Sequence, residues 1–209
     1  MHKMLSLVSS VVVIAACSSA GDNSADSAAD SSGAAAVGAR AAGGATAGPV
    51  RDSANAGVAS DTMRATATVR NARGRELGTL TLTETQQGLT ASGRLTGLPP
   101  GAHGIHLHTT GQCTPPFESA GAHWNPTNRQ HGTQNPQGPH FGDFPNITVG
   151  ADSSVNVQST TPGGTLRRTN ALMDADGAAI VVHVAADDDR TDPSGASGNR
   201  VACGVISGS

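Results

Sequence analysis

The chain has 209 residues and a formal charge of −3, with 13 basic residues against 16 carboxylates. That balance argues against a nucleic-acid partner. With 27 glycines, three phenylalanines, one tryptophan and no tyrosine, it lacks the large side chains of an extensive helical core and suits one compact, turn-rich β-domain with tails.

The first stretch reads as a targeting signal over residues 1–16. Lys3 gives a positive start, and "MLSLVSSVVVIAA" follows as an apolar run. It is shorter than the roughly 20 residues a membrane-spanning helix needs, and it fits the apolar core of a secretory signal. It ends in "IAAC", small residues directly before Cys17, which resembles the lipobox of bacterial lipoproteins. That resemblance implies lipidation of Cys17 and anchoring to a membrane of the bacterial cell envelope, facing the periplasm or the surface. By the same resemblance, Ser18 after the cysteine implies the outer rather than the inner membrane. A lipidated residue carrying several acyl chains holds firmly, since two chains already anchor far better than one.

Residues 17–60 continue with Ser, Ala, Gly and Asp and almost nothing to bury. This composition predicts a flexible, disordered tether. From residue 61 the texture changes. "TMRATATVR", "LGTLTLTET", "GLTASGRLTG", "ITVGADSSVNVQST", "AAIVVHVAA" and "RVACGVIS" alternate apolar and polar residues. Period-two alternation between Gly, Asn, Asp and Pro clusters marks half-buried antiparallel strands. The pattern predicts an all-β sandwich or barrel of about eight strands over 61–209. Two long polar segments, 109–145 and 185–199, interrupt it, and loops of that length are usually functional.

The segment "HGIHLH", residues 103–108, holds three of the chain's eight histidines. On a strand, His106 and His108 leave one face and Leu107 the other, toward a core. Two adjacent imidazoles repel when protonated and suit metal binding when neutral; a plain surface pair is the competing reading. The long loop adds His123, His131, His140 and Asp143, and His183 sits in "IVVHVAAD". Imidazoles suit copper and zinc, and an imidazole–carboxylate set suits zinc. His2, in the signal, and His103, in an expected turn, read as bland.

The motifs "GIHLHTTGQC", "PPFESAGAHWNP", "RQHG", "GPHFGDFPNITVGADS", "MDADGAAIVVHVAADD" and "GNRVACGVI" together resemble the Cu,Zn superoxide dismutase family, of the bacterial exported kind. The resemblance covers about 62–209 and implies a Greek-key β-barrel binding one copper and one zinc per subunit. It implies copper ligands His106, His108, His123 and His183, and zinc ligands His123, His131, His140 and Asp143, with His123 shared. Asp187 matches the carboxylate that links His106 and His131 from behind. Cys113 and Cys203 match the family's intrachain disulfide, in keeping with an even pair left over in an exported chain once Cys17 is lipidated. Arg200 matches the active-site arginine, a permanent cation suited to a small anion. The implied reaction turns superoxide into dioxygen and hydrogen peroxide, with copper changing valence, since zinc cannot, and His123 carrying a proton.

The resemblance is compatible with monomer and homodimer. A non-catalytic copper- and zinc-binding envelope lipoprotein is the alternative; the complete ligand set and Arg200 count against it. Residues 61–209 carry ten arginines and no lysine against twelve carboxylates, a formal −2, so an anionic substrate needs local positive potential. The loop "ADDDRTDPSGASGN" is acidic; Arg190 is one candidate source of steering, and activity is expected to fall as salt rises. "NIT" at 146–148 forms a glycosylation sequon to which no role is attached, and Trp124 is expected to alter packing beside the metal loop.

Overall fold

The structure, a computed structural model, describes residues 62–208; the signal, Cys17 and the tether lie outside the described residues. The first strand, β1 (Arg64–Asn71), shows why the alternation becomes a strand: Ala65, Ala67 and Val69 are buried while Arg64, Thr66, Thr68 and Arg70 face solvent. It pairs antiparallel with β2 (Glu76–Glu84), which pairs with β3 (Leu89–Thr96). The expected run "ITVGADSSVNVQST" divides into β6 (Ile147–Val149) and β7 (Ser154–Thr160), separated by a tight turn in which Gly150 and Ser154 hydrogen-bond.

Seven strands form one curled antiparallel sheet in the order β5-β8-β9-β1-β2-β3-β7, where β5 is Ile105–His108, β8 Ala178–His183 and β9 Arg200–Gly208. The meander β1–β2–β3 with β9 returning beside β1 is Greek-key order. A second, two-stranded ribbon pairs β4 (Gly101–His103) with β6. Since β4 leads into β5 and β6 into β7, the ribbon connects the two edges of the sheet. The result is an open half-barrel of nine strands among the described residues, against about eight expected. The three-residue strands β4 and β6 are too short to show a period of two.

Inside the curl, Leu80, Leu82, Leu89, Leu95, Ile105, Leu107 and Ile180 are fully buried. Each contributes on the order of 1.5–3 kcal/mol. Beyond the two long loops that the sequence shows, residues 161–177 form a third. It is held by a Thr165–Ala171 bridge and sends Leu166 and Leu172 into the core. Among the described residues no helix is long and apolar enough to cross a membrane.

Strand β8 is buried at all six positions. Ala178, Ile180 and Val182 face the main core, whereas Ala179 and Val181 join Phe117, Ala120 and Cys203 in a second cluster on the outer face. A strand covered on both faces has no polar alternation to display, hence its near-continuous apolar sequence. This second, covered face carries the site.

Candidate metal centre

His106 and His108 leave β5 on the outer face while Ile105 and Leu107 enter the core, as strand geometry requires. The free edge of β5 is paired by the long loop. Trp124 N–H donates to Leu107 O (2.8 Å), Leu107 N–H to Gly142 O (2.9 Å), and bridges join His108 to His123 and His106 to Asp143. His183, last in β8, lies beside them, with ring centroids 4.9 Å from His106 and 5.8 Å from His108. All seven predicted ligands are buried.

They fall into two groups sharing one member. His106, His108, His123 and His183 form the first, His123, His131, His140 and Asp143 the second, each with its candidate ligand atoms within 4.8 Å of one another. Asp143 Oδ1 lies 3.1 Å from His123 Nδ1, 3.1 Å from His131 Nδ1 and 3.3 Å from His140 Nδ1. A tetrahedral zinc with ligand bonds of about 2.0–2.1 Å has edges of about 3.3 Å, so these separations match the edges of a zinc site. In the first group, His106 Nδ1, His108 Nε2, His123 Nε2 and His183 Nε2 are buried without hydrogen-bond partners. Buried polar atoms are rarely left unmatched; four imidazole nitrogens converging in this way fit a copper ion. His123 offers one ring nitrogen to each group.

The opposite ring nitrogens fix orientation. His108 Nδ1–H donates to Gly121 O (3.0 Å) and His183 Nδ1–H to Gly198 O (3.0 Å). His106 Nε2–H donates to Asp187 Oδ2 (2.6 Å) and His131 Nε2–H to Asp187 Oδ1 (3.0 Å). One carboxylate therefore clips a histidine of each group. Such outer partners set the tautomer and raise ligand basicity. Gly195 makes room for the clip. It lies at φ +64°, and a Cβ there would meet Asp187 Oδ1 and the His131 ring.

Burial pushes His123 and His183 down to about 4, and depresses His106 and His108, so these four rings are neutral near pH 7. Burial also opposes charge on His131, but hydrogen bonds with Asp143 and Asp187 win and raise it to about 10. Burial would raise Asp143 and Asp187. Hydrogen bonds from His123, His131 and His140 instead hold Asp143 well below the usual carboxylate range, and those from His106 and His131 do so for Asp187. In the metal-free chain the zinc-side group thus pairs an ionised Asp143 with a protonated His131, whose extra proton a metal would displace.

The first group opens to solvent through a cavity of about 320 Å³ lined by Glu118, His123, His183, Ser194, Asn199 and Arg200, among others. Arg200 donates from Nη1 to Phe117 O and from Nη2 to Gly121 O, both at 2.7 Å. These carbonyls belong to the segment that the Cys113–Cys203 disulfide ties to β9, with Cα atoms 5.6 Å apart. Arg190, the other candidate for steering, does not line this mouth. Its Nε donates to Gln134 and its N–H to Asp188.

Three residues that the sequence reading passed over also act here. His103, expected in a turn, ends strand β4 and is 2% exposed, its ring nitrogens 2.8 Å from His183 O and 2.9 Å from Pro99 O. It ties the backbone of a ligand to the preceding turn. Asn146 grips the peptide of Asp187, and Glu118 lies 3.6 Å from Arg200. Their partners stand 80, 41 and 82 positions away in sequence, so no local signal marks them. Trp124 packs against Phe141, with centroids 5.7 Å apart, and over Gly164.

Residues 76–206 match the family model for copper/zinc superoxide dismutase. The chain is 42% identical over 151 residues to Superoxide dismutase [Cu-Zn] 2 of Aquifex aeolicus, covering 70% of this chain and 88% of that protein. It is 44% identical over 147 residues to Superoxide dismutase [Cu-Zn] of Caulobacter vibrioides, covering 68% and 84%. The crystal structure of a SOD-like protein from Bacillus subtilis superposes with a TM-score of 0.64 at 39% identity, covering 67% of this chain and 96% of that one. The chain belongs to the copper/zinc superoxide dismutase family.

Proposed function

We propose that this chain is an exported superoxide dismutase, converting superoxide to dioxygen and hydrogen peroxide at a copper position joined through His123 to a zinc position. The observation that carries this is the pair of buried four-ligand groups sharing one imidazole. His106, His108, His123 and His183 hold copper; His123, His131, His140 and Asp143 hold zinc. A bound copper supplies one-electron exchange, which zinc cannot.

The protein's own part is to bind, orient and protonate. Arg200 stands at the mouth with its guanidinium fixed by two carbonyls, ready to hold a small anion beside His123 and His183. His123 Nε2 faces the first group; with Nδ1 given to zinc in place of its proton, a freed Nε2 would carry the ring's one proton and place a donor beside the bound anion. On the opposite side of the ring, Nδ1 stands 3.1 Å from Asp143 Oδ1, its fellow member of the zinc group. Asp187 holds His106 and His131 at once, so a shift of either group is felt by the other.

The finer reading places the domain, residues 61–209, on a tether of residues 17–60 whose lipidated Cys17 anchors it to the cell envelope, after removal of a signal over 1–16. The apolar run ending in "IAAC" and a disulfide, which needs an oxidising compartment, support this. There it guards the envelope against superoxide arising outside the cytoplasm, as a monomer or homodimer.

Metal analysis paired with a dismutation assay tests the activity. One copper and one zinc per chain with turnover are expected; binding of both metals without turnover points to the non-catalytic alternative. The anchor is tested by membrane fractionation, in which Cys17→Ser releases the protein if the reading holds and changes nothing if it fails.

A further inference from the structure

An enzyme that captures an anion would be expected to surround its mouth with positive charge, yet the mouth here holds a matched pair. Of the groups lining it, Arg200 and Glu118 alone are charged side chains outside the ligand set, to which His123 and His183 belong. The Glu118 carboxylate lies 3.6 Å from Arg200 Nη2, and its side chain is 74% exposed against 14% for Arg200. That separation is too long for a good hydrogen bond, so Glu118 cancels charge without locking the guanidinium. Arg200 is positioned by the Phe117 and Gly121 carbonyls instead. They leave its net charge intact.

The remaining acids of the 185–199 loop are committed elsewhere. Asp188 takes N–H groups of Arg190 and Thr191, Asp189 takes the Thr133 hydroxyl, and Asp192 takes the His131 N–H. Asp188 stays exposed but is capped by its own loop, Asp189 and Asp192 bond to the zinc-side loop, and none of the three lines the mouth. One carboxylate, on a different loop, remains to oppose Arg200.

We propose that Glu118 is a specificity-determining residue, an internal counter-ion that an entering anion must displace from Arg200. It lowers the capture rate of superoxide and penalises more highly charged anions still more, because repulsion grows with the charge of the visitor. Glu118 begins the short 3₁₀ turn Glu118–Ala120 with its side chain directed to solvent, so an isosteric amide there removes the charge and leaves the turn. The inference rests on Arg200 being the anion-holding group.

The test compares the copper- and zinc-loaded wild type with Glu118→Gln and Arg200→Met. Rates are followed from about 10 mM to about 1 M salt, where the screening length falls from roughly 30 to 3 Å. Glu118→Gln is expected to raise kcat/KM roughly three- to tenfold at low salt. It should show a steeper fall with salt than the wild type and converge with it at high salt. Phosphate binding, read as ³¹P line broadening in protein carrying zinc but no copper, should tighten in Glu118→Gln and vanish in Arg200→Met. A Glu118→Gln variant equal to wild type in rate, salt slope and phosphate binding overturns the inference, as does a gain that persists undiminished at high salt. If Arg200→Met itself retains wild-type rate and phosphate binding, the reading of Arg200 fails instead.

Discussion

Asn146 and Asp187 meet through two hydrogen bonds that imitate a strand pair: Asn146 Nδ2–H donates to Asp187 O and Asp187 N–H donates to Asn146 Oδ1, both at 2.8 Å. The amide fixes the backbone from which the Asp187 carboxylate reaches His106 and His131. Two loops that are far apart in sequence are thereby held in register beneath both metal positions.

Replacing Asn146 by Ala should therefore weaken metal retention while leaving the barrel folded. Loss of groups that orient ligands typically costs 10- to 100-fold in metal affinity. Competition with a chelator should show a loss of about that size for zinc, with copper also affected. Unchanged affinity for both would mean that Asp187 holds its place without Asn146.

The Cys113–Cys203 disulfide spans 90 residues, and closing a loop of that size in the unfolded chain is worth roughly 4–5 kcal/mol. Its removal by Cys113→Ser with Cys203→Ser should lower the denaturation midpoint accordingly. It should also free the segment whose Phe117 and Gly121 carbonyls position Arg200, so kcat/KM should drop further than metal content does. Parallel loss of the two would show that the bridge acts on stability alone.

The pH dependence of the metal-free protein follows from the buried histidines. His123 and His183 ionise at about 4 in the folded state against about 6.5 unfolded. Between those values the unfolded chain binds more protons, so stability falls as pH drops from about 6.5 to 4, by up to about 3 kcal/mol for each ring. His131, raised to about 10, works in the opposite window. Its contribution is complete below about 6.5 and is lost as pH climbs toward 10. Asp143 and Asp187, depressed, contribute above the ordinary carboxylate value and lose this only in stronger acid. Thermal unfolding of metal-free protein should thus be best near neutrality, and a midpoint that stays flat from pH 6.5 to 4 would contradict this.

Much of this was legible in the sequence. A spacing of two put His106 and His108 on one face, and the alternating runs became β1, β2, β3, β7 and β9. The seven predicted ligands came together because strands and loop pairing carry them to one face of the sheet. What stayed hidden depends on contacts between distant segments. β4 and β6 are three residues each, and pair only because the barrel brings their ends together. His103 looked incidental because the carbonyl it serves belongs to His183 on another strand, and Asn146 looked like part of a sequon until its peptide partner appeared. The acidic loop misled in another way, since composition counts charges and only the fold shows which way they point.

The shared ring of His123 is the centre of the account, and copper spin resonance tests it most directly. In wild-type protein carrying copper with cobalt(II) in the zinc position, exchange through one imidazole should quench the copper signal. In His123→Ala the signal should return and dismutation should fall by ~10²-fold or more, the scale for losing a positioned proton donor. A full copper signal in the doubly loaded wild type, or undiminished dismutation in His123→Ala, would contradict the account.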